Sequence, residues 1–226
     1  QARSVSAVAE NVRTSVSEIW KKELIAKDRL FRQTSEAMAM TSIDNNKERV
    51  AKAKTLPIYD TIPIVRSWQS LQEKADELGY KFKVISMNPR NPRNKAQGVE
   101  RDILQKMDSE KLATYSIIDK DINSLRFVRR IEVGEGCLIC HGNTTHYSDG
   151  AGKDILGFQM EDMKVGEQRG GFEFIFPLEP LQEKVRAFTY SSIVFSAVII
   201  VLVTIFILLL VKRLAINPIR KIRNAM

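Results

Sequence analysis

The residues best placed to do chemistry are Cys137-Leu138-Ile139-Cys140-His141. Two thiols three positions apart, followed at once by an imidazole, have the C-x-x-C-H spacing of covalent c-type haem attachment. Each thiol can add to one vinyl group on the same porphyrin edge. The histidine then lies against the haem face and offers a ring nitrogen to the iron. A redox C-x-x-C or half of a zinc site would use the same two thiols. The redox motif does not need the adjacent histidine and normally opens a helix after a strand. Here Gly134, Glu135 and Gly136 come first and read as a loop. Zinc would want four ligands, and the chain's other histidine is His146. The spacing therefore reads as one covalent haem c with His141 as the proximal iron ligand.

Candidates for the opposite side of the iron are His146 and the methionines Met38, Met40, Met87, Met107, Met160 and Met163. His146 lies five residues after His141, and so short a loop cannot easily carry it to the other haem face. A methionine is more often core filler than a ligand. Met38 and Met40 end a long helical stretch and would couple ligation to helix position. A vacant site that admits a gas is the remaining possibility. Arg90, Arg93, Arg126 and Arg129 are candidates to grip the haem propionates, since guanidinium binds carboxylate in bidentate fashion. Solvated surface arginine is the competing reading for each.

The net charge of +8 raises nucleic-acid binding as a first thought. A haem c and a membrane span exclude it, because they place most of the chain outside the cytoplasm. The span is the run from Ala187 to Val211, which contains no charged residue. About 25 residues at roughly 1.5 Å each give about 37 Å of helix, enough to cross a bilayer with some tilt. Phe188 and Tyr190 sit where an interfacial aromatic belt would begin. Lys212, Arg213, Arg220, Lys221 and Arg223 follow the span, whereas Glu179 and Glu183 are mixed with Lys184 and Arg186 before it. The positive-inside rule then puts the C-terminus in the cytoplasm. The expected setting is a bacterial inner membrane with the haem domain in the periplasm. Both cysteines belong to the haem motif, so no structural disulfide is expected.

The elements that must position this chemistry follow along the chain. Val5, Val8, Val12, Val16 and Ile19 recur at helical spacing, and Leu24, Leu30 and Phe31 extend them. One long amphipathic helix from about Ser4 to Met40 is expected. Its length favours a membrane-proximal stalk or dimer seam over an ordinary helix of the domain. Either a leader has been cleaved or, the preferred reading, the helix continues a first membrane span before Gln1. Ser42 to Lys54 reads as a turn entering a short helix, and Thr55 to Pro63 as an ordered connection with two prolines. Val65 to Leu78 reads as a helix stopped by Gly79. Tyr80 to Met87 alternates as a strand and runs into the turn-rich Asn88 to Asn94. Gly98 to Lys111 is a helix. Ser116 to Asp119 and Ser124 to Val133 form a strand pair around a polar turn, and Gly170 to Leu178 is the last strand. The expected fold is α+β, with a small antiparallel sheet carrying the covalent haem. The expected organisation is an amphipathic helix over 1–40, a haem domain over 41–186, a transmembrane helix over 187–211 and a linker start over 212–226.

Several stretches together resemble the PAS-like c-type haem sensor domain found outside the membrane in bacterial chemoreceptors and sensor kinases. They are LPIYDTIPIVRSWQ (Leu56 to Gln69), GYKFKVISMNPRNPRNKA (Gly79 to Ala96), CLICHGN (Cys137 to Asn143) and VGEQRGGFEFIFPL (Val165 to Leu178). Asn217 to Met226 resembles the opening of a HAMP linker, which passes motion from a membrane helix to a cytoplasmic output domain. Two features depart from that family. Relatives supply a second axial ligand from an N-terminal cysteine, which is missing here. Others have a histidine where this chain has Arg169.

The resemblance implies a sensory input module in which haem redox state or a gaseous ligand is relayed through the membrane helix of a homodimer. It also implies that an output domain follows Met226. A membrane-anchored monohaem electron carrier with an electron-transfer partner is the alternative. No catalytic constellation accompanies the haem motif, so an enzyme is not expected.

Overall fold

The computed structural model describes residues 2–22, 24–40, 43, 45–75, 77–144 and 151–217. The chain divides into two compact units, Gln1–Pro177 and Leu178–Met226.

The first unit opens with α1 (Ala2–Lys21) and α2 (Lys27–Ala39). The single helix expected from Ser4 to Met40 is thus two. The cause is tertiary. Trp20 is buried, its indole N–H donates to the Thr61 carbonyl at 2.6 Å, and its ring meets Phe31 at 5.8 Å. In an unbroken helix Phe31 would lie about 16 Å further along the axis. Nor does α1 expose its whole apolar stripe. Ala9 is buried and Val5 packs beside it, while Val8 and Ile19 are exposed.

Helix α3 (Asn46–Ala53) starts on Asn45, whose side chain accepts the Glu48 N–H at 3.0 Å and caps the first turn. A 3₁₀ turn at Pro57–Thr61 leads to α4 (Pro63–Ala75). The expected helix to Leu78 stops early. Gly79 takes a left-handed φ of 68° that reverses the chain into the sheet, leaving Leu78 exposed.

The sheet consists of β1 (Lys81–Ile85), β2 (Thr114–Asp119), β3 (Ser124–Glu132) and β4 (Gln168–Pro177), with α5 (Val99–Ser109) between β1 and β2. Its order is β1-β4-β3-β2, antiparallel throughout. Alternation sends Phe82, Phe127, Phe172 and Phe174 to one face, where they pack with Ala9 of α1 and Leu71 of α4. Ile85 and Val128 point the other way, onto Leu104 and Met107 of α5. A third cluster gathers Trp20, Ala53, Ile58, Leu156 and Phe158 beside the β3–β4 connection.

The second unit is α7 (Glu179–Val211) followed by a π-helical turn at Lys212–Ile216. One turn named α6 is described with the site below. Helix α7 has 33 residues, about 50 Å at 1.5 Å per residue. It contains the whole run expected to span the bilayer. Among the described residues it is the helix long and apolar enough to cross a membrane. Of the linker start expected over 212–226, the structure describes 212–217; the rest of the HAMP-like stretch lies outside the described residues.

Candidate functional site

The β3–β4 connection builds the site. After β3 the backbone makes a 3₁₀ turn at Glu135–Cys137 and then one helical turn, α6 (Leu138–His141). The motif expected on a loop therefore sits on helical backbone. That puts Cys137 and Cys140, three residues apart, on one side of the turn. Gly142 closes it, donating its N–H to the Leu138 carbonyl at 2.9 Å. A Cβ at Gly142 would lie 2.6 Å from that same oxygen. Two further backbone bonds strap residues 162–163 onto the turn, Asp162 N–H to Gly142 O at 3.1 Å and Met163 N–H to His141 O at 2.8 Å.

This strap brings Glu161 to His141, and its carboxylate bonds the ring at Nδ1. The other Glu161 oxygen accepts Arg169 Nη2 at 3.0 Å and lies 3.7 Å from Arg90 Nε. Arg169 is itself held by Ser86 Oγ at 3.0 Å and Asn88 O at 2.8 Å. Arg90 pairs with the fully buried Asp154 carboxylate and donates from Nη2 to the Cys140 carbonyl at 2.6 Å. Its guanidinium also lies 4.9 Å from the Phe158 ring centre.

Burial pushes the His141 imidazole below its ordinary value, and the Arg90 and Arg169 charges add to that against the pull of Glu161. For Glu161 burial acts upward, but the His141 bond and the two guanidinium groups outweigh it and hold the carboxyl low. At neutral pH the pair is a neutral imidazole donating Nδ1–H to a carboxylate. Among the described residues no hydrogen bond engages Nε2, which leaves it as the nitrogen for a metal. Desolvation, reinforced by the Asp154 charge, pushes the Cys140 thiol up to about 12. Among the described residues no group of three or more His, Cys, Asp or Glu side chains could hold a bare metal ion.

Cys140 and His141 form part of the wall of an open cavity lined mainly by apolar side chains. One wall is Tyr59, Ile62, Val65 and Trp68; the sheet adds Val84, Ile131 and Gly170; Leu156 and Phe158 complete it. Arg90 stands at the same wall, and its buried Nε has no hydrogen-bond partner. The arrangement fits an iron porphyrin: an apolar slot, two thiols on one helical turn, an imidazole with one nitrogen free, and a guanidinium with donor capacity left. Cys137 is not in the cavity wall; its Sγ accepts the Gly134 N–H at 3.4 Å.

The other candidates fall elsewhere. Arg93 is exposed. Arg126 is not brought to the cavity: it points to the α5 face of the sheet, bridging Asp119 and Glu173 at 2.6 Å each. Period-two alternation decides this, since its neighbour Phe127 faces the α1–α4 layer. Arg129 does not line the cavity, and nor do Met38 and Met40; Met40 is 87% exposed. Met107 is core and Met160 is buried. Met87 and Met163 line a second, more polar pocket beside Arg169. His146 lies outside the described residues. Sequence reasoning missed Glu161 and Asp154, for which no local pattern existed. Arg169 had been noticed, as a departure from a histidine.

The family model described as Tll0287-like matches residues 1–177. Among solved structures the chain is similar to the crystal structure of the cyanobacterial haem protein Tll0287. The two are 18% identical, the match covers 71% of this chain and 95% of that one, and the TM-score is 0.39. No curated protein matches.

Proposed function

The chain belongs to the Tll0287-like family, and from that premise we propose that it is the haem-bearing sensory input module of a bacterial transmembrane receptor. One covalent haem c is held through Cys137 and Cys140, with His141 on the iron and Arg90 and Arg169 toward the propionates. The observation that carries this reading is the meeting of Cys140, His141 and Arg90 at one apolar cavity. When bound, the haem supplies an iron that changes charge on reduction and can take a small gaseous ligand.

The chain's own residues position that group and sense its change. Arg90 and Arg169 offer charge where a propionate would need it. Tyr59, Trp68 and their apolar neighbours exclude water. The haem-bearing turn lies against α1, because a Cβ at Gly136 would come within 2.8 Å of Ser17 Oγ, and Arg13 donates to the Glu132 carbonyl at 3.4 Å. A shift of the turn therefore presses on α1, while β4 continues through Leu178 into α7. Two helix arrangements biased by the haem would carry the signal inward. On this reading α7 crosses the bacterial inner membrane, the haem domain is periplasmic, the C-terminus is cytoplasmic and the receptor is a homodimer.

Expression in a host that attaches haem c tests this. Haem should stay with the denatured chain and be lost in the Cys137→Ala, Cys140→Ala variant; a wild-type chain without tetrapyrrole overturns the proposal. The reduced protein should change its absorption spectrum with carbon monoxide. A spectrum inert to carbon monoxide, with helices unmoved on reduction, turns the protein into a tethered electron carrier.

A further inference from the structure

Resting on the covalent-haem reading, we infer that Glu161, held by Arg169, is a positioning residue that sets the electron-donor strength of His141 toward the iron. Glu161 is 20 residues from His141 in the chain, yet its carboxylate bonds Nδ1, the ring nitrogen that the iron does not need. Nothing about the contact is loose. The Asp162 and Met163 backbone bonds dock this strand on the haem-bearing turn. Arg169 anchors the second oxygen at 3.0 Å and is tied to Ser86 and Asn88 at the end of β1. A rigid relay thus runs from the sheet to Nδ1.

The chemistry of that relay is specific. An ionised acceptor takes an N–H bond more strongly than a neutral carbonyl does. Its pull on the Nδ1 proton raises the basicity of the ligating nitrogen and fixes the ring's orientation. A stronger axial donor favours the more positive, ferric iron, so the second shell moves the reduction potential. Arg169 shares the carboxylate and tempers its pull. The neighbouring polar pocket, lined also by Glu167 and Gln168, leaves this pair next to a polar, accessible region rather than sealed in the core.

The test uses the full chain, haem-loaded and held in lipid nanodiscs, as wild type, Glu161→Gln and Glu167→Gln. Glutamine keeps one oxygen to accept Nδ1–H, removes the charge and turns an N–H₂ group toward Arg169. Glu167→Gln removes the same charge nearby without touching His141. The midpoint potential of Glu161→Gln should shift upward and the g-value spread of its ferric paramagnetic resonance spectrum should change, with Glu167→Gln moving both far less. If Glu161→Gln fails to accumulate, Glu161→Asp is read in the same way, since its shorter carboxylate no longer reaches Nδ1. Wild-type values in the Glu161 variant, or equal shifts at both positions, overturn the inference and leave the haem reading standing. A wild-type chain without covalent haem overturns both.

Discussion

Arg90 and Arg126 are the same residue type on one small domain, and they sit in opposite kinds of surroundings. Arg126 lies in the packed layer between the sheet and α5. Its guanidinium is spent on Asp119 and Glu173, both at 2.6 Å. Arg90 borders the apolar cavity, with one nitrogen paired to Asp154, another on the Cys140 carbonyl and its buried Nε without a hydrogen bond. In the packed layer the two ion pairs tie the strands together, although Glu173 Oε2 is also buried there without a hydrogen-bond partner. At the cavity the unpartnered donor lies beside a concave apolar wall, the setting of a ligand site.

The contrast is broken most severely by Arg126→Ala. It leaves Glu173, with a side chain fully out of solvent, as an uncompensated buried charge, a loss of about 3–5 kcal/mol. Denaturant unfolding should show it, while the haem spectrum of the folded fraction stays as in wild type. A changed spectrum with unchanged stability would contradict the division. Leu104→Ala, in the same packed layer, should cost about 2–5 kcal/mol, and Ile62→Ala, half-buried at the cavity wall, clearly less by the same unfolding measurement. Equal losses would show that the cavity is packed in solution.

Arg90→Lys keeps a cation for Asp154 and gives up the fork. A stability loss of about 1 kcal/mol is expected, together with a lower yield of attached haem, read as the ratio of haem absorbance to protein. The smallest effect concerns pH. Burial raises Glu173 above its ordinary 4.5 despite the Arg126 pair. The folded chain then takes up this proton before the unfolded chain does, so Glu173 adds stability as pH falls through its raised value toward 4.5. Glu173→Gln should remove that gain and make acid unfolding steeper, with the haem-bearing turn unaffected.

Much of the scaffold was readable one segment at a time. Tyr80, Phe82 and Val84 alternate onto one face, and the uncharged run from Ala187 to Val211 falls inside one helix. Short-range patterns of this kind report local backbone preference and burial. Helix ends were less readable. Nothing in the repeating valines of the N-terminal stretch shows that Trp20 must reach Thr61 and Phe31. Nor does the apolar face ending at Leu78 reveal that α4 stops at Ala75. The site was legible as a motif and illegible as a constellation. Arg90 and Asp154 meet across 64 residues, and no spacing rule spans such a distance.

The amino-acid order by itself determined that two thiols and an imidazole fall within five residues, that the strands alternate, and that the C-terminal run is long and apolar. These follow from covalent spacing and side-chain polarity, which act within a few residues. Only the tertiary structure decided that Arg90 rather than Arg126 faces the cavity. It alone put Glu161 on His141, and it alone broke the N-terminal helix. Each of those outcomes is a contact between distant segments, settled by which face of the sheet a residue occupies and by what packs against it.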